Sequence, residues 1–380
     1  SVRDKKLEKV MRVGFHQNQP QLLRNPMTDY SELRKTLQEH LHWHGARLSF
    51  LALFLLALIK VKTVNLSELA LGFGGRALSE SHYKRLQRFF RGFDLDDSDI
   101  AQVVVSWMQI PQPWVLSVDR TSWEFGSRCY NILTLGIVHE GVAFPVLWWM
   151  LKKKGNSNSD ERMRLMEAFG KLFPDARVRC LCGDREFVGQ SWLRYLLLEP
   201  AMPFRLRIRA SDKIERNGQA LAAQVVFAHL NVGESQRLKG ACQVWGLTVA
   251  VEALRLEDGK LLVVIGPQQD ENLVADYALR WGIETLFGLF KTRGFCLEST
   301  HFTEAERLRK LFALLTLALC WSFKTGLFLH QVRPIAIKKH GRRAKSLFRL
   351  GFDYLRQLLL NPSPLFEDDF RYTLRLLSCT

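Results

Sequence analysis

Residues 114–149 read WVLSVDRTSWEFGSRCYNILTLGIVHEGVAFPVLWW, and this stretch decides the fold. Pro111 and Pro113 precede it, and the texture changes there to strands. WVLSVD (114–119) is a short apolar run that stops at an acid. NILTLGIVHE (131–140) and GVAFPVLWW (141–149) are two further strands, with Glu140-Gly141 as a hairpin turn. Downstream, SDERMRLMEAFGKLF (159–173) has helical spacing, with Ser157 or Ser159 available as its cap. VRCLCGD (178–184) is a second strand stopping at an acid, and GQSWLRYLLL (189–198) a second helix. In PFRLRIRA (203–210) alternation puts Arg205, Arg207 and Arg209 on one side of a strand. Three strands, then helix, strand, helix, strand, make a mixed α/β sheet covered by helices.

Further out the pattern changes twice. Residues 211–268 hold short strand-like runs, among them ACQVWGLTVAVEALRL (241–256) and KLLVVIG (260–266), and read as a β-rich insertion. From Glu271 the chain is helical, apart from a connector around Pro334 to Arg343. Upstream, Tyr30 to Trp107 is helical, broken by Gly72, Gly74 and Gly75. LSELAL (66–71) and SHYKRLQRFFRGF (81–93) flank that glycine-rich turn. Lys84, Arg85 and Arg88 on the second segment fit a helix-turn-helix DNA reader, or the solvated basic face of a plain bundle. The expected divisions are 1–26, a leader or upstream extension before Met27; 27–110, a helical DNA-binding domain; 111–210 and 269–330, two parts of a catalytic domain; 211–268, the insertion; and 331–380, a basic and helical C-terminal region.

Composition narrows the partners. Lys plus Arg number 54 against 38 acids, a net charge of +16 with pI near 9.7. That excess points to a polyanion, since neutralised phosphates release condensed counterions. Between residues 331 and 350 lie Arg333, Lys338, Lys339, Arg342, Arg343, Lys345 and Arg349, with no acid. The seven cysteines are odd in number, fit no zinc spacing and are expected as thiols. Phe50 to Ile59, the strongest apolar run, falls short of the roughly 20 residues a bilayer needs, so no membrane partner is expected. His42 and His44 flank Trp43 at i and i+2 and share no helical face, so they are read as structural.

The chemistry is sought among acids. Asp119 and Asp184 each end an apolar run, and either alone could simply cap a turn. On neighbouring strands their carboxylates would converge as hard oxygen ligands suited to Mg²⁺ or Mn²⁺. A third acid follows the insertion. In ENLVADYALRWGIETLFGLFKTRGF (271–295), at about 100° per residue, Tyr277, Arg280, Glu284 and Lys291 fall within roughly 60° on a helix. Leu279, Ile283, Leu286 and Phe290 face the other way. Tyr277, Arg280 and Lys291 would grip DNA phosphates, joined by Arg205, Arg207 and Arg209, Lys84, Arg85 and Arg88, and Lys338, Lys339, Arg342 and Arg343. Trp281 could stack on an unpaired base, with Trp245 a second candidate.

The spacing Tyr-x2-Arg-x3-Glu-x6-Lys resembles the signature of the IS-four family of bacterial insertion-sequence transposases. So do Asp119 in VLSVDRTSW, Asp184 in CGDREF, and the blocks KKKGNSNSDER (152–162) and KKHGRRAKSLFR (338–349). The likeness runs from about Met27 to about Arg356. It implies an RNase H-like catalytic domain interrupted by a β-rich insertion, with a helical DNA-binding region before it and helices after it. It also implies cut-and-paste transposition: nicking at terminal inverted repeats, hairpin formation and opening, and joining to target DNA. Asp119, Asp184 and Glu284 would hold two Mg²⁺ ions, replaceable by Mn²⁺. Synapsis of two ends implies a homodimer, with the C-terminal helices as one possible contact, working in a bacterial cytoplasm at the nucleoid. Two alternatives stand beside it: an RNase H-like nuclease or resolvase using the same acids, and a catalytically inactive, transposase-derived DNA-binding regulator.

Overall fold

The computed structural model describes residues 26–378 except 76, 126, 127, 199, 200, 340, 362 and 363; the expected leader lies outside the described residues but for Pro26. Five helices come first: α1 Pro26–His40, α2 Gly45–Val61, α3 Leu66–Gly72, α4 Ser79–Gly92 and α5 Asp97–Met108. Side chains cap the starts of α2, α3 and α5. His44 Nδ1 accepts from Ala46 N at 3.3 Å, Asn65 Oδ1 from Ser67 N at 2.9 Å, and Asp96 Oδ1 from Ser98 N at 2.8 Å. His44 thus has the structural role expected of it. The apolar run 50–59 lies inside α2 and is buried.

The middle of the chain forms one sheet. Strands β1 Trp114–Phe125, β2 Arg128–His139 and β3 Val142–Leu151 are antiparallel neighbours. Glu140 and Gly141, at φ 49° and 80°, make the tight β2–β3 turn, where both central residues need left-handed backbone. Helix α6 Ser159–Leu172 follows. Its cap is Asn158, not either expected serine: Asn158 Oδ1 accepts from Glu161 N, and the Glu161 carboxylate accepts from Asn158 N, each at 2.8 Å. Then come β4 Val178–Gly183, α7 Gln190–Leu198 and β5 Phe204–Ile208, with β4 parallel to both β1 and β5.

The insertion continues this sheet. It holds β6 Lys213–Arg216, β7 Gln219–Ala222, α8 Ala223–Val226, β8 Ser235–Arg237, β9 Cys242–Val244, β10 Leu247–Arg255 and β11 Leu261–Gly266. Among the described residues the strand order is β3-β2-β1-β4-β5-β11-β10-β9-β6-β7, with β8 paired to β10. The 3-2-1-4-5 core, with β2 alone reversed between β1 and β3, is the mixed sheet of an RNase H-like fold. Antiparallel pairing of β11 with β5 joins the extension to it. Helices α9 Leu273–Ala278 and α10 Trp281–Phe290 follow.

The last helices are α11 Ala305–Val332, α12 Leu347–Leu360 and α13 Pro364–Arg375. The chain divides into two compact units, Ile110–Gly288 and Ser1–Gln109 with Leu289–Thr380. Helix α11 therefore groups with α1–α5, because its apolar surface packs on α2, α4, α5 and α12. By length and composition α11 could cross a bilayer, but 83% of its most apolar window is buried within the protein. Lys310 donates to Phe90 O at 3.2 Å and Lys324 to Trp107 O, supplying partners to carbonyls in the last turns of α4 and α5. Gly326 and Gly351 let α11 and α12 touch backbone to backbone; a Cβ on either would overlap a carbonyl, of Leu347 or Ser322. Phe352, Leu355, Leu358, Phe370, Leu374 and Leu377 are buried, so core packing accounts for the apolar C-terminal faces.

Candidate active site

The register of two parallel strands brings the first two acids together. Val118 pairs with Gly183, so Asp119 and Asp184 come next on neighbouring strands and share a face. Such strands lie about 4.8 Å apart. Asp119 does not end its strand, contrary to expectation. β1 runs on to Phe125, paired with β2 throughout, while β4 stops at Gly183. Asp119 thus stands in a notch: supported on one side by β2, open on the other where β4 ends. Gly183 is needed there, since a Cβ would come within 2.9 Å of Leu206 Cδ2 and 3.0 Å of Phe187 Cβ.

The third acid arrives on a broken helix. Residues 271–295 do not form one helix; α9 ends at Ala278 and α10 starts at Trp281. Between them Leu279, Arg280, Gly282 and Ile283 each donate to the carbonyl three residues back, a tighter turn than the α-helix. The tightening rotates the predicted line. Leu279, expected on the apolar face, is 39% exposed, whereas Tyr277 and Arg280 are buried. Ile283, Leu286 and Phe290 are buried as expected. Gly282 permits close approach, because a Cβ there would meet Val138 Cγ1 at 2.9 Å and the Ala143 backbone nitrogen at 3.1 Å.

Arg280 is the hub of the cluster. Its Nη1 donates to Asp119 Oδ2 at 2.8 Å and to Glu284 Oε1 at 3.4 Å. Asp184 Oδ1 accepts from the Tyr277 hydroxyl at 3.2 Å and lies 3.6 Å from Arg207 Nη1. Asp119 is only 9% exposed. Burial pushes its pKa up to about 7, against the pull of Arg280 and a bond from the Arg120 amide; Glu284 adds repulsion. Burial also raises the Tyr277 phenol, so it stays protonated and can donate to Asp184. Burial opposes the Arg280 charge, but Tyr277, Asp119, Asp184 and Glu284 hold its pKa above the ordinary value.

Among the described residues no three acids, histidines or cysteines converge on one point. The reason is local: a guanidinium nitrogen stands between Asp119 and Glu284. The residues nonetheless fit a divalent cation. Three carboxylates supply hard oxygen donors, one is held at high cost in its ionised form, and a cationic side chain already occupies the gap between two of them. Arg280 Nε is buried without a hydrogen-bond partner.

A supporting network surrounds the acids, and sequence reasoning missed it. Arg120 donates from Nε to both Glu186 oxygens at 2.8 and 3.1 Å, from Nη1 to Asn131 at 3.0 Å and from Nη2 to Asn156 at 2.9 Å. Asn131 in turn holds the carbonyls of Lys153 and Gly155. Arg162 donates to Ser157, Glu186 and Val188 and lies over the Phe187 ring, which ties α6 to the loop after Asp184. The one available signal was that Arg120, Asn156 and Arg162 sit inside the quoted motif blocks.

The other predicted residues divide. Trp281 is 66% exposed, with the Arg280 guanidinium 5.7 Å from its ring, and Trp245 is half-buried. Arg205 is not available to DNA: it is buried and bound to Asp270 and Asp276, acids that reach it from 65 and 71 residues away. Arg207 sits at Asp184, and Arg209 is exposed. In the helical unit Lys84 and Arg88 are exposed and Arg85 is half-buried over Phe50. Lys291 lies 3.8 Å from Glu298. Lys338, Lys339, Arg342 and Arg343 are exposed on a small turn closed by Ile337 and Arg343.

No curated protein matches the sequence. A solved structure, the cryo-EM structure of piggyBac transposase synaptic complex with hairpin DNA, is similar over 98% of this chain and 85% of that one, at 13% identity and a TM-score of 0.45. The family model described as Transposase DDE domain matches residues 110–321. That is more than half of the chain and spans every acid of the cluster, so the protein belongs to the DDE transposase family and is a DNA transposase.

Proposed function

We propose that the protein carries out cut-and-paste transposition of an insertion sequence of the IS-four kind, with Asp119, Asp184 and Glu284 as its catalytic acids. One observation carries the reading: two carboxylates from distant segments share the Arg280 cation, and the third stands beside them at the same level of the sheet. The acids would hold two divalent ions, Mg²⁺ with Mn²⁺ as a substitute, which stabilise charge on a phosphoryl group under attack. The chain's own residues do the rest. Tyr277 orients Asp184. Arg280 holds Asp119 and Glu284, and the half-buried Arg207 binds phosphate oxygens. Trp281, exposed beside them, stacks on a base displaced from its duplex.

The DNA is double-stranded, carries terminal inverted repeats, and is nicked, closed into a hairpin, reopened and joined to target DNA by a homodimer holding two ends. The exposed basic residues of α4 and of the 338–343 turn grip DNA. The test uses DNA bearing the element's own ends, with Mg²⁺ or with EDTA, and maps nicked, hairpinned and joined products. Glu284→Gln lowers nicking about a thousandfold or more while end binding stays within about threefold. Normal nicking by that variant removes Glu284 from the site.

A further inference from the structure

A second cluster of charges lies beside the acids and takes no part in the proposed chemistry; in it Asp276 and Arg205 are buried and Arg179 is exposed. Its centre is Asp276, the residue before Tyr277. One carboxylate oxygen pairs with Arg179. The other accepts from Arg205 Nε at 3.2 Å and Nη2 at 2.8 Å. Arg205 Nη1 also donates to Asp270 Oδ2 at 2.8 Å and to Phe204 O at 2.9 Å. Arg179 belongs to β4, whose end precedes Asp184, and Arg205 belongs to β5, which carries Arg207.

Helix α9 has only 6 residues. So short a helix cannot hold itself in water, and no side chain caps its Asn272 start. Its apolar contacts come from Leu273, Val274 and Tyr277, which pack with Ala250, Leu262 and Val264. Such contacts tolerate sliding, whereas a two-armed ion pair does not. Buried ion pairs add little to stability but can fix one arrangement among several. Glu252 Oε2, accepting from Val274 N at 3.1 Å, adds a third fastening.

We propose that Asp276 is a positioning residue: clamped by Arg205 and Arg179, it seats α9 on β4 and β5 so that Tyr277 reaches Asp184 and Arg280 reaches Asp119 and Glu284. This rests on the reading of those three acids as catalytic. Displacement by about 1 Å of a group that must meet the reacting centre can cost on the order of a hundredfold in rate.

The test compares full-length wild type, Asp276→Asn, Arg205→Met with Asp276→Leu, and Glu284→Gln. The double variant replaces the pair with apolar side chains of similar volume, which buried sites tolerate. It decides the matter should Asp276→Asn fail to fold. For both clamp variants the nicking rate at saturating end DNA falls about 30-fold or more, while the DNA concentration for half-maximal rate moves less than about threefold. Without divalent ions, the amides of residues 277–284 exchange hydrogen at least about tenfold faster than in wild type, and the β1–β2 amides do not. A double variant with wild-type rate and protection overturns the proposal. Glu284→Gln separates the two readings: if it nicks, the assignment of the acids fails; if it is inert and the clamp variants nick normally, only the clamp fails.

Discussion

Two buried aspartates, Asp119 and Asp276, sit on one side of the same sheet and fare differently. Around Asp276 charges balance, with Arg179 and Arg205 facing Asp270 and Asp276. Around Asp119 they do not. There three carboxylates share two guanidiniums: Arg280 pairs with Asp119 and Glu284, and Arg207 lies 3.6 Å from Asp184. The balanced cluster is finished as it stands. The other lacks positive charge, and burial moves Asp119 to about 7. Cores hide balanced charge for geometry; a shortage of cations at an open notch marks a place where one arrives from outside.

The largest expected effect breaks the comparison at its acidic side. Asp119→Asn lowers nicking about a thousandfold or more, yet it stabilises the ion-free protein at high pH. The sign follows from the raised value. An aspartate moved up from 3.8 to about 7 contributes stability that is full below about pH 4 and lost as pH rises toward 7. The melting midpoint of Asp119→Asn therefore exceeds wild type at pH 8 and matches it near pH 4. A wild-type midpoint independent of pH over that range, in EDTA, contradicts the charge shortage.

A smaller effect sharpens the same point. Divalent ions must displace a proton from Asp119 below its pKa. The Mg²⁺ concentration for half-maximal nicking then falls about tenfold per pH unit on approach to pH 7 and levels off above it. Titrations of rate against Mg²⁺ at several pH values measure this, and a flat requirement from pH 5.5 to 7 speaks against it. The smallest effect belongs to β5. Arg209→Ala, exposed and with no acid on its side chain in the cluster, changes nicking by less than about threefold, whereas Arg207→Ala raises the Mg²⁺ requirement or slows nicking measurably more. Equal effects of the two would erase the distinction drawn along that strand.

These contrasts also mark where sequence reading stops. The succession of strands and helices along the chain, the Glu140-Gly141 hairpin and the stop at Asp184 were legible, because alternation and turn chemistry are local. Asp119 was expected beside Asp184 for an incomplete reason: RTSWEF continues the strand with β2, and only the end of β4 opens the notch. The Tyr-Arg-Glu spacing was legible as a motif, but a 3.6-residue period conceals the tight turn at 279–283 that buries Arg280. Alternation put three arginines on one face of β5 and could not separate them. Partners far along the chain do that, with Asp276 and Asp270 taking Arg205 while Asp184 faces Arg207.

The extension of the sheet has a mechanical corollary. Strand β11 is hydrogen-bonded to β5 and delivers the chain to α9 across residues 267–272, where Asp270 is fastened by both Arg205 and Arg237. A load placed anywhere on β6–β10 therefore travels through paired backbone, and little slack is left to absorb it before Tyr277. A duplex leaning on that flank would be felt at the glutamate as a tug along a stiff ribbon.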